Sequence, residues 1–174
     1  MDSIILAYPA ALIRDKTGRY VVRFRDLPEA LTDGKDEAEA LGEAADCLSE
    51  ALMSRIADQE DIPVPSNTRR REYSIAPEPT VALKALLFSV VKARKISTAE
   101  LARRLGVDHK EARRMLDPRH PTKFPRLQEA LKSLGHEIRI AWHDASRQQR
   151  LLKAPKEGRR GTIRPKQFVE IARR

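Results

Sequence analysis

The chain has 174 residues, enough for one or two small domains with modest cores, and 34% charged with 41% apolar residues is a globular composition. No apolar run reaches the length of a membrane-spanning helix, and the opening stretch MDSIILAYPAALIRD lacks the basic flank of a signal peptide. Cys47 is the single cysteine, which excludes an internal disulfide framework or a cysteine-built zinc site and fits a reducing cytoplasm.

The net charge of +9 is unevenly spread. Residues 1–66 hold seven Lys and Arg against fourteen Asp and Glu, a net −7; residues 67–143 hold seventeen against eight, a net +9; residues 144–174 hold ten against three, a net +7. An acidic front joined to a basic back implies two surfaces with two kinds of partner, a cationic protein for the first and a polyanion for the second.

Tyr8 to Phe24 reads as a β-hairpin turned by Asp15-Lys16-Thr17-Gly18, with Tyr20, Val22 and Phe24 on one face of the second strand. Asp26-Leu27-Pro28 ends it. A helix is predicted from near Asp36, where Asp36 and Glu39 have capping-box spacing, with Leu41, Ala45, Leu48, Leu52 and Ile56 as its apolar stripe. Asp36, Glu39, Glu43, Asp46 and Glu50 fall opposite that stripe at about 100° per residue. Both a solvated outer face and a docking strip for a basic partner fit that spacing. Ile62-Pro63-Val64-Pro65-Ser66 is extended, Tyr73-Ser74-Ile75 is a short last strand, and Ala76-Pro77-Glu78-Pro79 is the expected hinge.

Thr80 is the expected cap of a helix holding Leu83, Leu86, Leu87, Val90 and Val91. Ser97 and Glu100 form a second capping pattern, with Ile96 and Leu101 as its staple. Gly106 ends that helix, and Asp108 and Glu111 open the next, which makes a helix-turn-helix signature. Ala112, Met115 and Leu116 form the buried side of the last helix. His109, Lys110, Arg113 and Arg114 face out, where a reading helix meets the major groove, while Thr98, Arg103, Arg119 and Lys123 are placed for phosphates. A merely solvated cationic helix is the competing reading. Leu127, Ala130, Leu131 and Leu134 form a further helix stopped by Gly135. Glu137 to Trp142 alternates as a strand whose edges require a partner, which a second copy of the chain would supply in a two-fold dimer; pairing within the chain is the alternative. The basic tail from Asp144 to Arg174 is expected to be a mobile arm.

The predicted fold class is therefore α+β: residues 1–77 as a small antiparallel sheet with one long helix, residues 78–143 as an all-α helix-turn-helix domain ending in a dimerising strand, and residues 144–174 as a tail. Nuclease chemistry needs several carboxylates converging on metal. The strands offer only Asp15 and Asp26, and His109, His120, His136 and His143 have no metal-site spacing, so no catalytic residue, metal or cofactor is expected. Cys47, next to Leu48, is expected to be a buried structural thiol.

Gly18 to Gly34, the helix over residues 37–56, Ile62 to Ser66, Glu100-Leu101-Ala102-Arg103-Arg104-Leu105-Gly106 and His120-Pro121-Thr122-Lys123 follow one another in the order of a known family. Over about residues 7–142 the sequence resembles the HicB-type antitoxins of bacterial toxin–antitoxin pairs, in the members with a C-terminal helix-turn-helix. The resemblance implies an N-terminal fold like a partial ribonuclease H that blocks a small basic ribonuclease toxin, HicA. It also implies a DNA-binding half that represses the pair's own operon as a dimer or a dimer of dimers. The toxin-binding candidates are Asp26, Glu29, Glu39, Glu43, Asp46 and Glu50. A free-standing helix-turn-helix regulator, whose acidic domain binds a ligand or oligomerises, is the alternative.

Overall fold

A computed structural model describes residues 3–139 and 170–173. The chain order is β1 (Ser3–Ile5), β2 (Tyr8–Arg14), β3 (Tyr20–Phe24), β4 (Leu31–Gly34), α1 (Glu37–Ala57), β5 (Glu72–Ile75), α2 (Pro79–Ala93), α3 (Thr98–Leu105), α4 (His109–Leu116), α5 (Phe124–Ser133), β6 (His136–Arg139) and β7 (Glu170–Arg173). This is an α+β arrangement with a four-stranded antiparallel sheet, in spatial order β4-β3-β2-β5, and five helices among the described residues.

The hairpin forms where Gly18 takes a left-handed φ of +92°. Asp15 clamps the turn, its Oδ1 accepting from the Thr17 amide, the Thr17 hydroxyl and the Arg19 amide at 2.8, 2.7 and 2.9 Å. Val22 and Phe24 of β3 and Tyr8 and Ala10 of β2 point into the core.

β4 was not expected, because its Leu-Thr-Asp-Gly sequence has residues that strands generally avoid. Pairing to β3 forms it, not propensity. Gly34 closes β4 flush against α1: a Cβ there would lie 2.4 Å from the Ala40 nitrogen. Gly34→Ala is therefore expected to lower stability by about 1–3 kcal/mol through overpacking against backbone, read as a drop in thermal midpoint with no change in helix content at low temperature.

Helix α1 starts where predicted, with Asp36 accepting from the Glu39 amide at 2.9 Å. The Glu39 carboxylate reaches back one residue further than a capping box, to the Lys35 amide at 2.6 Å. The buried stripe is Ala40, Ala44, Leu48, Ala51, Leu52 and Ile56, so Leu41 and Ala45 sit only at its margin. Small alanines at the first two turns let the sheet approach the helix closely.

The expected hinge at 76–79 is tied down. Pro77 is buried, and the Glu78 amide donates to Ser49 Oγ on α1 at 2.9 Å. Glu78, not Thr80, caps α2, accepting from the Val81 amide at 3.0 Å. Proline at the first helical position needs no amide partner, which lets the helix begin there. Every residue of α2 from Val81 to Phe88 is buried. A helix covered on all sides is a central element; α2 packs against α1, α4 and α5, and the buried core runs on from the sheet to Leu134.

Helices α3 and α4 follow the predicted caps. Ser97 accepts from the Glu100 amide, Asp108 from the Glu111 amide, and Gly106 ends α3 at φ +66°. The strand near the end of the expected second domain is described over His136–Arg139, beginning one residue before the predicted Glu137, and residues 140–142 lie outside the described ones. Within the chain β6 pairs with β7, and β7 pairs with β1, in a three-stranded antiparallel sheet, as the alternative of pairing within the chain expects. The expectation of an unstructured tail is corrected to the same extent, since residues 170–173 form β7; residues 144–169 lie outside the described residues.

Candidate functional site

Two surfaces follow from the charge split, and ion pairing decides which residues on each are available. On α4 the helix buries Ala112 and Met115 and leaves His109, Lys110, Arg113 and Arg114 exposed, at the positions predicted. Arg119 and Lys123, in the turn after α4, are exposed as well, and Thr98 at the start of α3 is half-buried.

Three of the acids near this surface are already paired with arginines, while Asp108 and Asp117, at the two ends of α4, accept backbone amides. Glu100 accepts from Arg103 Nε at 3.0 Å and from Arg104 Nε at 2.7 Å. The Arg104 contact first, then Arg103, holds its carboxyl below the usual range. Glu111 pairs with Arg126 at 2.7 Å, and Arg126 pairs also with Glu129 at 3.0 Å. Lys110, Arg113, Arg114, Arg119 and Lys123 form no ion pair among the described residues. The result is a row of unneutralised cations along one short helix and the turn that follows it. Such a row neutralises phosphates, and its arginines have the fork that reads guanine edges. Arg103 differs from the others in being held by Glu100.

In the acidic half, four of the seven cations of residues 1–66 are paired among the described residues: Arg19, Arg25, Lys35 and Arg55. Arg19 pairs with Asp33, Arg55 with Glu29 and, at 3.7 Å, with Glu60, and Lys35 with Glu39 at 3.9 Å. Asp26 accepts from the Ser66 amide at 2.8 Å and the Ser66 hydroxyl at 2.7 Å, which fastens the extended 62–66 segment to the end of β3. The buried Tyr8 hydroxyl donates to the Pro63 carbonyl at 2.8 Å in the same segment. Of the six expected acids, Asp26, Glu29 and Glu39 thus serve internal contacts. Glu43, Asp46 and Glu50 are exposed on α1 and enter no ion pair among the described residues.

Glu29 also makes a pH test. Its carboxyl is held below the usual range, first by the Arg55 hydrogen bond and against a smaller desolvation cost. A carboxylate whose folded pKa is depressed adds stability that is complete above its ordinary value of about 4.3 and is lost as pH falls through the lower one. The stability gap between wild type and Glu29→Gln, measured by urea unfolding, should therefore be largest near neutrality and close as the solution is acidified. A gap independent of pH would mean that the charge contributes nothing.

Asp15 is engaged by its turn and Asp26 by Ser66. No group of three or more potential metal ligands occurs among the described residues, and no described helix is long and apolar enough to cross a membrane. Cys47 is half-buried, its thiol pushed up by burial. His136 is buried, His120 half-buried and His109 exposed, while His143 lies outside the described residues.

Lys84 was missed in the sequence reading. It lies in the middle of α2, is 5% exposed, and donates from Nζ to the carbonyls of Asp117 and His120. The available signal was a lysine inside an otherwise apolar helix.

Residues 7–86 match the family model for a HicB-like antitoxin of bacterial toxin–antitoxin systems. The chain is 38% identical over 135 residues to Antitoxin HicB of Escherichia coli K12, covering 78% of this chain and 98% of that protein. It is 35% identical over 136 residues to Antitoxin HicB 1 of Photorhabdus laumondii, 78% of this chain and 86% of that one. It is 29% identical over 140 residues to Antitoxin HicB of Pseudomonas fluorescens, 80% and 95% respectively. These similarities run longer than the family-model match, which ends within α2.

Proposed function

Because the chain belongs to the HicB-like antitoxins of bacterial toxin–antitoxin systems, we propose that it works through two faces, one for a toxin and one for its own operator. Residues 1–77 dock a small basic ribonuclease of the HicA kind, as a partial ribonuclease H-like domain without nuclease activity of its own. Residues 78–143 form a helix-turn-helix domain in which α3 supports and α4 enters the major groove. The observation that carries this reading is the row Lys110, Arg113 and Arg114, exposed and without ion pairs among the described residues, while the neighbouring Glu100 and Glu111 are neutralised.

Glu43, Asp46 and Glu50 give the toxin face its charge, since they are the expected acids not consumed by internal contacts. A cationic surface steered onto them gains on-rate and orientation, with apolar contact supplying most of the affinity. Operator repression follows from occupancy of the promoter by the positive half. Assembly as a dimer or a dimer of dimers suits a helix-turn-helix reader, because a two-fold copy doubles the contacts and matches a palindromic site. The site of action is the cytoplasm, with the nucleoid as its place when bound to the operator.

The test is co-expression with the adjacent open reading frame. A basic partner should co-purify, growth arrest by that partner should be relieved, and Glu43→Lys with Glu50→Lys should weaken the complex at least tenfold without changing operator affinity. Failure of the wild-type chain both to retain a basic partner and to shift its own promoter fragment at low salt would end this reading.

A further inference from the structure

We propose that Lys84 is a positioning residue for the DNA surface, fastening the turn after α4 from inside the core so that Arg119 and Lys123 are presented in register with Arg113 and Arg114. The inference rests on the DNA-binding reading above and adds to it a residue that touches no DNA.

Lys84 sits between Leu83 and Ala85 in the stretch of α2 where every residue is buried. A buried ammonium is costly unless its hydrogens are used. Here it donates to two backbone carbonyls and to no carboxylate: Asp117, the C-cap of α4, and His120, three residues on. Carbonyls at a helix C-terminus lack intrahelical donors and carry the negative end of the helix dipole, so a cation is the favoured partner there. Burial lowers the Lys84 pKa, and the nearby Asp117 charge opposes that fall.

Among the described residues, the other hydrogen bonds of this turn are local. The Arg119 amide donates to Asp117 Oδ1 at 2.9 Å, and the His120 amide donates to the Asp117 carbonyl at 3.3 Å. The Thr122 hydroxyl lies 3.4 Å from the Arg114 and His120 carbonyls, at the long limit of a hydrogen bond. Lys84 is the contact in this set that reaches from another element, 33 and 36 residues away in sequence. It therefore fixes the turn relative to the core, and through the turn it fixes the two cations at its ends.

A residue that only stabilises the fold would change how much protein is folded, not how many phosphates the folded protein contacts. The salt dependence of binding separates the two, because each phosphate contact contributes about 0.9 to the slope of log K against log salt on duplex DNA. The experiment compares full-length wild type and Lys84→Met on the duplex spanning the chain's own promoter, with Arg113→Ala plus Arg114→Ala as the control for DNA binding. Lys84→Met should lose roughly tenfold in affinity and up to about two units of slope. It should also speed amide exchange at Arg119 and His120 and leave toxin affinity within twofold. Lys84→Arg, which keeps a buried donor, should recover part of the slope. Should the Met variant fail to fold, Lys84→Gln, whose shorter head draws back from both carbonyls, is read in the same way. An unchanged slope and affinity in a variant, with the wild type binding normally, overturns the positioning role alone. No binding by the wild type overturns the DNA-binding reading and this role with it.

Discussion

Arg113→Ala combined with Arg114→Ala is expected to abolish operator binding while toxin binding stays within twofold. The two arginines are exposed on α4 and form no ion pair among the described residues, so removing them breaks no internal ion pair and folding should be little affected. An arginine that forks onto a guanine edge is worth about 1–3 kcal/mol. Losing two reduces affinity by roughly thirty-fold to twenty-thousand-fold if the terms add. A gel shift with unchanged affinity would remove α4 as the reading helix. The comparison with Arg103→Ala is informative, because Arg103 is held by Glu100. Its loss is expected to cost far less, and to reduce mainly the salt slope.

Leu87→Ala is expected to have the largest effect on stability. Leu87 is fully buried on α2, the helix that packs against α1 as well as α4 and α5. A leucine-to-alanine change at such a site costs about 2–5 kcal/mol, set against about 5–15 kcal/mol for a whole domain. The thermal midpoint should fall by roughly 5–20 °C, and operator binding and toxin neutralisation should weaken together on warming, since the same core supports both. Calorimetry should show one transition for the continuous core. Two separated transitions, with only one moved by Leu87→Ala, would instead mark residues 1–77 and 78–143 as independently folding units.

The parts of the fold that were legible are those whose causes lie within a few residues. Asp15 to Gly18 makes a turn because an aspartate and a glycine satisfy it locally. Asp36, Ser97 and Asp108 cap helices because each side chain reaches an amide three residues on. Gly106 and Gly135 stop helices because they alone take positive φ cheaply there. Misreadings occurred where local signals were balanced. Thr80 and Glu78 both precede apolar residues, and the proline at 79 decided between them by fixing the helix start two residues earlier. Leu41 lost the core to Ala40 because the sheet sits close to the helix there and admits only a small side chain, and turning Ala40 inward carries Ala44 with it and leaves Ala45 at the margin.

The candidate site shows the same division. The sequence by itself determined the charge asymmetry, the helix that carries His109, Lys110, Arg113 and Arg114, and the face of α1 that carries Glu43, Asp46 and Glu50, because side-chain direction in a helix follows from its period. The tertiary structure alone decided which of these charges remain unpaired. Glu29 meets Arg55 across 26 residues, Asp26 meets Ser66 across 40, and Lys84 meets the end of α4 across 33. It also decided that β6 takes β7 as partner, with Glu137 opposite Ala172. Pairings of that span depend on where the packed core brings distant segments, and no local period or cap encodes it.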